Sequence, residues 1–287
     1  MPANGSDQRR FGSWREGEYF IALERGRPRR VMRLMVQGRR GVLKCGDARG
    51  YGWPRVLGTA LLLRVALGHW PSLASLRQSG RQRLSFEASR LRALARAGEQ
   101  VPEVLYQSDR VLVTEDVGTT VQEHLERLPV RDRAVLMRRL AADQARFHDA
   151  GQWHGAAQFR NLTLCGGVLH RIDFEENLEG VLPVRYRQVF DLFLIVHSLA
   201  ERRALGSSCQ REAMGARFLE EYLEHRQTEP PLIELLQLHR WLAAGSAALR
   251  WAARFGGRDV ERALITSAAI QQVMPRVRAL REYAQAR

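Results

Sequence analysis

The sequence predicts an α+β protein in two parts, a small antiparallel sheet with one interposed helix followed by a mainly helical half. Three patterns carry that prediction. Short apolar runs separated by polar turns occupy residues 18–45, two more such runs end at Val117, and beyond Gly118 the apolar spacing becomes helical.

In chain order, YFIAL, VMRLMV and GVLKC read as three strands of an antiparallel meander, with the turn ERGRPRR between the first two and QGRRG between the second and third. Lys44 falls near the end of the third. A glycine-punctuated stretch follows, containing the amphipathic apolar piece Val56 to Leu67. Leu84, Phe86, Leu91, Leu94 and Ala95 then recur at helical spacing until Gly98, with Glu87 inside the helix. VPEVLYQ and RVLVTEDV complete a set of five strands before Gly118.

The second part opens with a helix over Asp132 to His148 that places Val135, Leu136, Leu140 and Phe147 on one face and stops at Gly151. WHGAAQFRNLTL reads as irregular, and GGVLHRIDF as a hairpin of two short strands. From Tyr186 onward nearly everything reads as helix. The change at Gly118 sets the expected domains at 14–118 and 119–287.

The composition is that of a globular chain, with 45% hydrophobic residues. The start lacks an apolar run of the kind that directs secretion, and Val56 to Leu67 is too short to span a bilayer, so the expected compartment is the cytoplasm. Three widely spaced cysteines indicate neither a disulfide framework nor a zinc site. A net charge of +14 suggests anionic partners: nucleic acid, anionic lipid or phosphorylated glycolipid. Nucleic acid ranks lowest, because no stacking aromatics accompany the arginines in a readable motif.

Lys44 is the only lysine among 45 Lys and Arg residues. Arginine replaces lysine freely on a solvated surface but not in a closed site, where its planar guanidinium is too large. The solitary lysine therefore marks a candidate position that arginine cannot fill. Three other polar residues follow it in an order that suits phosphoryl transfer from ATP, which needs a cation on the phosphates, an acid to hold that cation and oxygen ligands for a metal. Glu87 sits on the next helix, Asn161 in a loop after a long helix, and Asp173 beyond a short hairpin.

On these residues the chain resembles the protein-kinase-like superfamily, and within it the bacterial lipopolysaccharide kinase branch of Kdo and heptose kinases. HGAAQFRN is similar to the H-[RG]-D-x-x-x-x-N loop, IDFE to the D-F-G type metal motif, and FEASRLRALARAGEQVPEVL to the helix-to-strand passage of that branch. The resemblance implies a bilobal fold, with a small antiparallel-sheet N-lobe and a mainly helical C-lobe. It implies that Lys44 binds phosphate with Glu87 as its ion-pair partner, that Asn161 and Asp173 hold Mg²⁺ or Mn²⁺, and that the backbone from Glu115 to Val117 reads adenine. His154 matches the structural histidine of the loop, and Asp191 the buried aspartate that braces it. The implied reaction is ATP-dependent phosphorylation of an alcohol group on an anionic acceptor, a sugar lipid such as a lipopolysaccharide precursor, with peripheral contact at the inner membrane.

Two departures stand out. The turn that should be glycine-rich holds only Gly26, among Arg25, Arg27, Arg29 and Arg30. Where the family carries its proton-accepting aspartate this chain has Ala156, so Gln158 and Arg160 become the candidates for orienting the acceptor and holding phosphate. Loss of a general base costs about 10² to 10⁴ in rate. A slow kinase and a pseudokinase, a nucleotide-binding regulatory module, are both compatible with that loss.

Overall fold

A computed structural model describes residues 31–36, 38–46, 52–67, 71, 73–253 and 258–286. The expected YFIAL strand and the arginine-rich turn with Gly26 lie outside the described residues. The chain is mixed α+β. Its elements are β1 (Val31–Val36), β2 (Arg39–Cys45), α1 (Trp53–Leu67), α2 (Leu73–Leu76), α3 (Gly80–Arg96), β3 (Val104–Gln107), β4 (Val111–Glu115) and β5 (Thr119–Thr120), then α4 (Val121–Arg127), α5 (Val130–Asp149), β6 (Leu162–Cys165) and β7 (Val168–Arg171). Four helices follow: α6 (Val184–Glu201), α7 (Ser208–His225), α8 (Leu232–Ala253) and α9 (Arg258–Gln285).

Two compact units share the chain. The first comprises residues 1–57, 72–119 and 163–177, and the second residues 58–71, 120–162 and 178–287. The division departs from a single cut at Gly118, because residues 163–177 return to the first unit.

In the first unit, β1 to β4 form an antiparallel sheet in the order β1-β2-β4-β3. Alternation along β2 decides what each face does. Leu43 points into a cluster with Val36, Val111 and Val113. Lys44 therefore points to the other face, beside its cross-strand partner Leu112, which packs under Leu84 and Ala88 of α3. α3 buries Arg83, Leu84, Glu87, Ala88, Leu91 and Leu94, a stripe at helical spacing that carries two charged residues into the interior. A capping box fixes where α3 starts: Ser79 Oγ accepts from the Gln82 N–H at 3.2 Å, and Gln82 Oε1 accepts from the Ser79 N–H at 2.8 Å. The end of β2 passes so close to this start that a Cβ on Gly46 would lie 2.7 Å from Gly80 O.

The second unit is helical. α5 packs on α7, and α9 packs on α6, α7 and α8. Ser207 and Gln210 cap α7 with the same reciprocal box. Arg211 is buried there without loss of partners, donating to Ala200 O and, at 2.7 Å, to Glu261.

Three sequence expectations shift. Val135 is 56% exposed, and the buried face of α5 runs instead through Leu136, Met137, Leu140, Ala141 and Phe147. The hairpin is formed by LTLC and VLHR, not by GGVLHRIDF: Gly166 and Gly167, at φ 55° and 78°, make its turn, and IDF follows the second strand. α1 is apolar on both sides, with Val56, Ala60 and Leu63 buried and Trp53, Leu57 and Leu61 exposed.

Candidate functional site

Lys44, Glu87 and Asp173 meet in the first unit. The Lys44 ammonium donates to Glu87 Oε1 and to Asp173 Oδ1, both at 2.6 Å, across 43 and 129 residues of sequence. Strand alternation aims Lys44 at α3, and the buried stripe of α3 presents Glu87 to it. Glu87 is 1% exposed, and its Oε2 is buried with no hydrogen-bond partner among the described residues.

Charge balance sets the protonation states. Burial pulls the Lys44 ammonium down, but the two carboxylates outweigh it and hold the group well above its ordinary value. Burial pushes Glu87 up against the pull of Lys44, and the neighbouring Asp173 and Glu175 charges add to the rise.

Asp173 adopts φ 68°, the one positive value among the described non-glycine residues. Such a conformation costs on the order of 1 kcal/mol and persists only where its surroundings enforce it. Here Lys44 holds its carboxylate, and the next residue, Phe174, is buried at 1% exposure. Residues held in such conformations cluster at functional sites, which makes Asp173 a candidate site residue.

The loop of residues 153–161 lies in the second unit and is braced from below. Asp191, fully buried on α6, accepts from the His154 N–H at 2.6 Å and the Gly155 N–H at 2.7 Å. Gly155 has φ 82°, which a side chain would oppose. His154 Nδ1 accepts from the Ala156 N–H at 3.1 Å, which places the proton of a neutral ring on Nε2. Asn161 donates from Nδ2 to Ala156 O at 2.8 Å, so its amide oxygen is the atom left to offer a cation. Gln158 is half-buried and donates its N–H to Ala156 O at 2.7 Å, while Arg160 is exposed in the 3₁₀ turn that ends at Asn161.

Behind Asp191 stands His148, with Nε2 3.3 Å from Asp191 Oδ2 and Nδ1 2.8 Å from the Tyr222 hydroxyl. Burial pushes the Tyr222 hydroxyl up, which keeps it protonated. In the sequence His148 is only the end of a helix, and nothing there points to Tyr222. The only available signal was a polar residue on the apolar face of α5.

At the edge of the first unit, the Glu115 N–H donates to Glu103 O and the Asp116 N–H to Arg40 O, each at 2.9 Å. Those two amides are therefore engaged in backbone hydrogen bonds of the sheet edge. Val117 itself is buried at 6% exposure.

Among the described residues no group of three or more His, Cys, Asp or Glu side chains is placed to hold a metal. Asp173 in the first unit and Asn161 in the second each carry an oxygen of the kind that Mg²⁺ accepts alongside waters and phosphate oxygens.

No protein-family model matches the chain, and no curated protein is significantly similar to it.

Proposed function

We propose that the chain is a phosphotransferase of the bilobal protein-kinase-like fold, using ATP with Mg²⁺ or Mn²⁺. The observation that carries this reading is the convergence of Lys44, Glu87 and Asp173 into one ion-paired group from three distant elements. Lys44 binds phosphate oxygens and Glu87 fixes the ammonium in place, while Asp173 of the first unit and Asn161 of the second would be the ligands of a divalent cation that would neutralise charge on the phosphates. The acceptor oxygen bonds to the γ-phosphorus as the bridging β–γ P–O bond breaks. With Ala156 where a base is expected, the hydroxyl proton passes to a phosphate oxygen or to water, and Gln158 orients the hydroxyl through its amide. Arg160 pairs with phosphate.

The acceptor class is an anionic sugar lipid at a membrane surface. Supporting features are the +14 charge and the exposed Trp53, Leu57 and Leu61 along α1. No helix among the described residues is long and apolar enough to cross a membrane. A second reading, a nucleotide-binding regulatory module, is favoured by Ala156 alone.

Incubation with γ-labelled ATP and Mg²⁺ or Mn²⁺, with and without a lipid extract, tests the proposal through label transfer to an acceptor. In the base-independent mechanism Gln158→Ala lowers transfer. Ala156→Asp lowers it too, because the added carboxylate repels the γ-phosphate. A rise of about tenfold or more in Ala156→Asp would instead show that the site lacks only a base. No transfer by any of the three proteins, with nucleotide still bound, would establish the regulatory module.

A further inference from the structure

α3 grips the segment after β7 at a second point. One helical turn before Glu87, the buried Arg83 guanidinium lies 3.8 Å from Glu175, with the two side chains 6% and 16% exposed. Glu87 reaches Asp173 through Lys44, and Arg83 faces Glu175 as an ion pair longer than a hydrogen bond, so the two rungs flank the buried Phe174. A buried arginine is expensive unless paired, and it serves no apolar packing need that leucine would not meet at lower cost. Its value lies in what it holds.

We infer that Arg83 is a positioning residue: by anchoring Glu175 it holds Asp173 in its left-handed conformation, with the carboxylate aimed at Lys44 and, on the function proposed above, at the metal. Without the second rung, residues 173–175 lose the Glu175 anchor while burial of Phe174 and the Lys44 contact remain. Asp173 then has its ordinary backbone preferences to relax into. The clamp is a geometric claim about the first unit alone. Its consequence for the metal rests on the proposed function.

The single lysine supplies a probe that needs no activity. An amine-acylating reagent modifies Lys44 and the chain's N-terminus, and mass spectrometry of the Lys44 peptide reports how firmly two carboxylates sequester the ammonium. Arg83→Met should raise the Lys44 acylation rate severalfold, Glu175→Gln should do the same, and Arg83→Lys should restore much of the protection. In parallel, the Mg²⁺ concentration for half-maximal ATP binding should rise about tenfold in Arg83→Met, the lower end of what outer partners of metal ligands contribute. If Arg83→Met fails to fold, the milder Glu175→Gln carries the test, because it breaks the same rung.

Acylation at the wild-type rate in folded Arg83→Met or Glu175→Gln overturns the clamp, even if the melting temperature falls, since that would leave Arg83 a structural residue. Faster acylation in a protein that shows no metal-dependent ATP binding at all upholds the clamp and rejects the phosphotransferase.

Discussion

Lys44→Met should lower the unfolding free energy by about 3 kcal/mol and abolish nucleotide-dependent activity. The stability loss arises because Glu87, 1% exposed, loses the cation that offsets its burial, and removing one partner of a buried ion pair costs about 3–5 kcal/mol. The lower end applies because Asp173 is a third exposed and water screens that arm of the pair. Protonation of Glu87 also limits the penalty. Lys44→Met combined with Glu87→Met should therefore recover most of the stability, since an apolar pair of similar volume replaces an ion pair at little cost, while nucleotide dependence stays lost. Lys44→Arg keeps the charge but not the shape, and should lose activity with a smaller stability change. Urea unfolding of these proteins together with Glu87→Met alone measures this. Additive losses in the double variant would mean that Lys44 and Glu87 are not energetically coupled.

Asp191→Ala should be as severe for the second unit. It leaves the His154 and Gly155 N–H groups without their acceptor in a fully buried setting. Each orphaned donor costs about 1–3 kcal/mol, more where the lost acceptor was charged, so the total is about 3 kcal/mol or more. Asp191→Asn should recover only part, because one oxygen of the pair becomes an NH₂ that faces a donor. Urea unfolding gives the loss, and hydrogen exchange at residues 154 and 155 should accelerate beyond the change in global stability. Equal protection of those two amides in Asp191→Ala would contradict the bracing role.

The sheet and the helices were legible because their patterns are local. The short apolar runs VMRLMV and GVLKC and the helical spacing in residues 84–95 each depend on a few neighbouring residues. Lys44 stood out for a compositional reason, as the residue a drift to arginine had spared. What could not be read were partners supplied from elsewhere in the chain. Arg83, on the buried stripe of α3, looks like one more surface arginine until Glu175 arrives beside it from 92 residues away. His148 and Tyr222, 74 residues apart, pair only once α5 and α7 pack. Val135 and Leu136 are adjacent in sequence and so cannot share one narrow helical face, and neighbouring helices decided which of them was buried. The hairpin begins a few residues before GGVLHRIDF, because the positive φ angles of Gly166 and Gly167 make that pair its turn.

Metal-dependent nucleotide binding bears most directly on the proposed function. A ligand bound by the folded state alone stabilises it by RT ln(1 + [L]/Kd), about 2.7 kcal/mol at a hundredfold excess over Kd. ATP with Mg²⁺ should raise the melting temperature of the wild type more than ATP alone does, and Asp173→Asn should erase the increment that Mg²⁺ adds. A melting temperature unmoved by millimolar ATP with Mg²⁺ or Mn²⁺ would contradict nucleotide handling by the Lys44, Glu87 and Asp173 group, and with it the phosphotransferase.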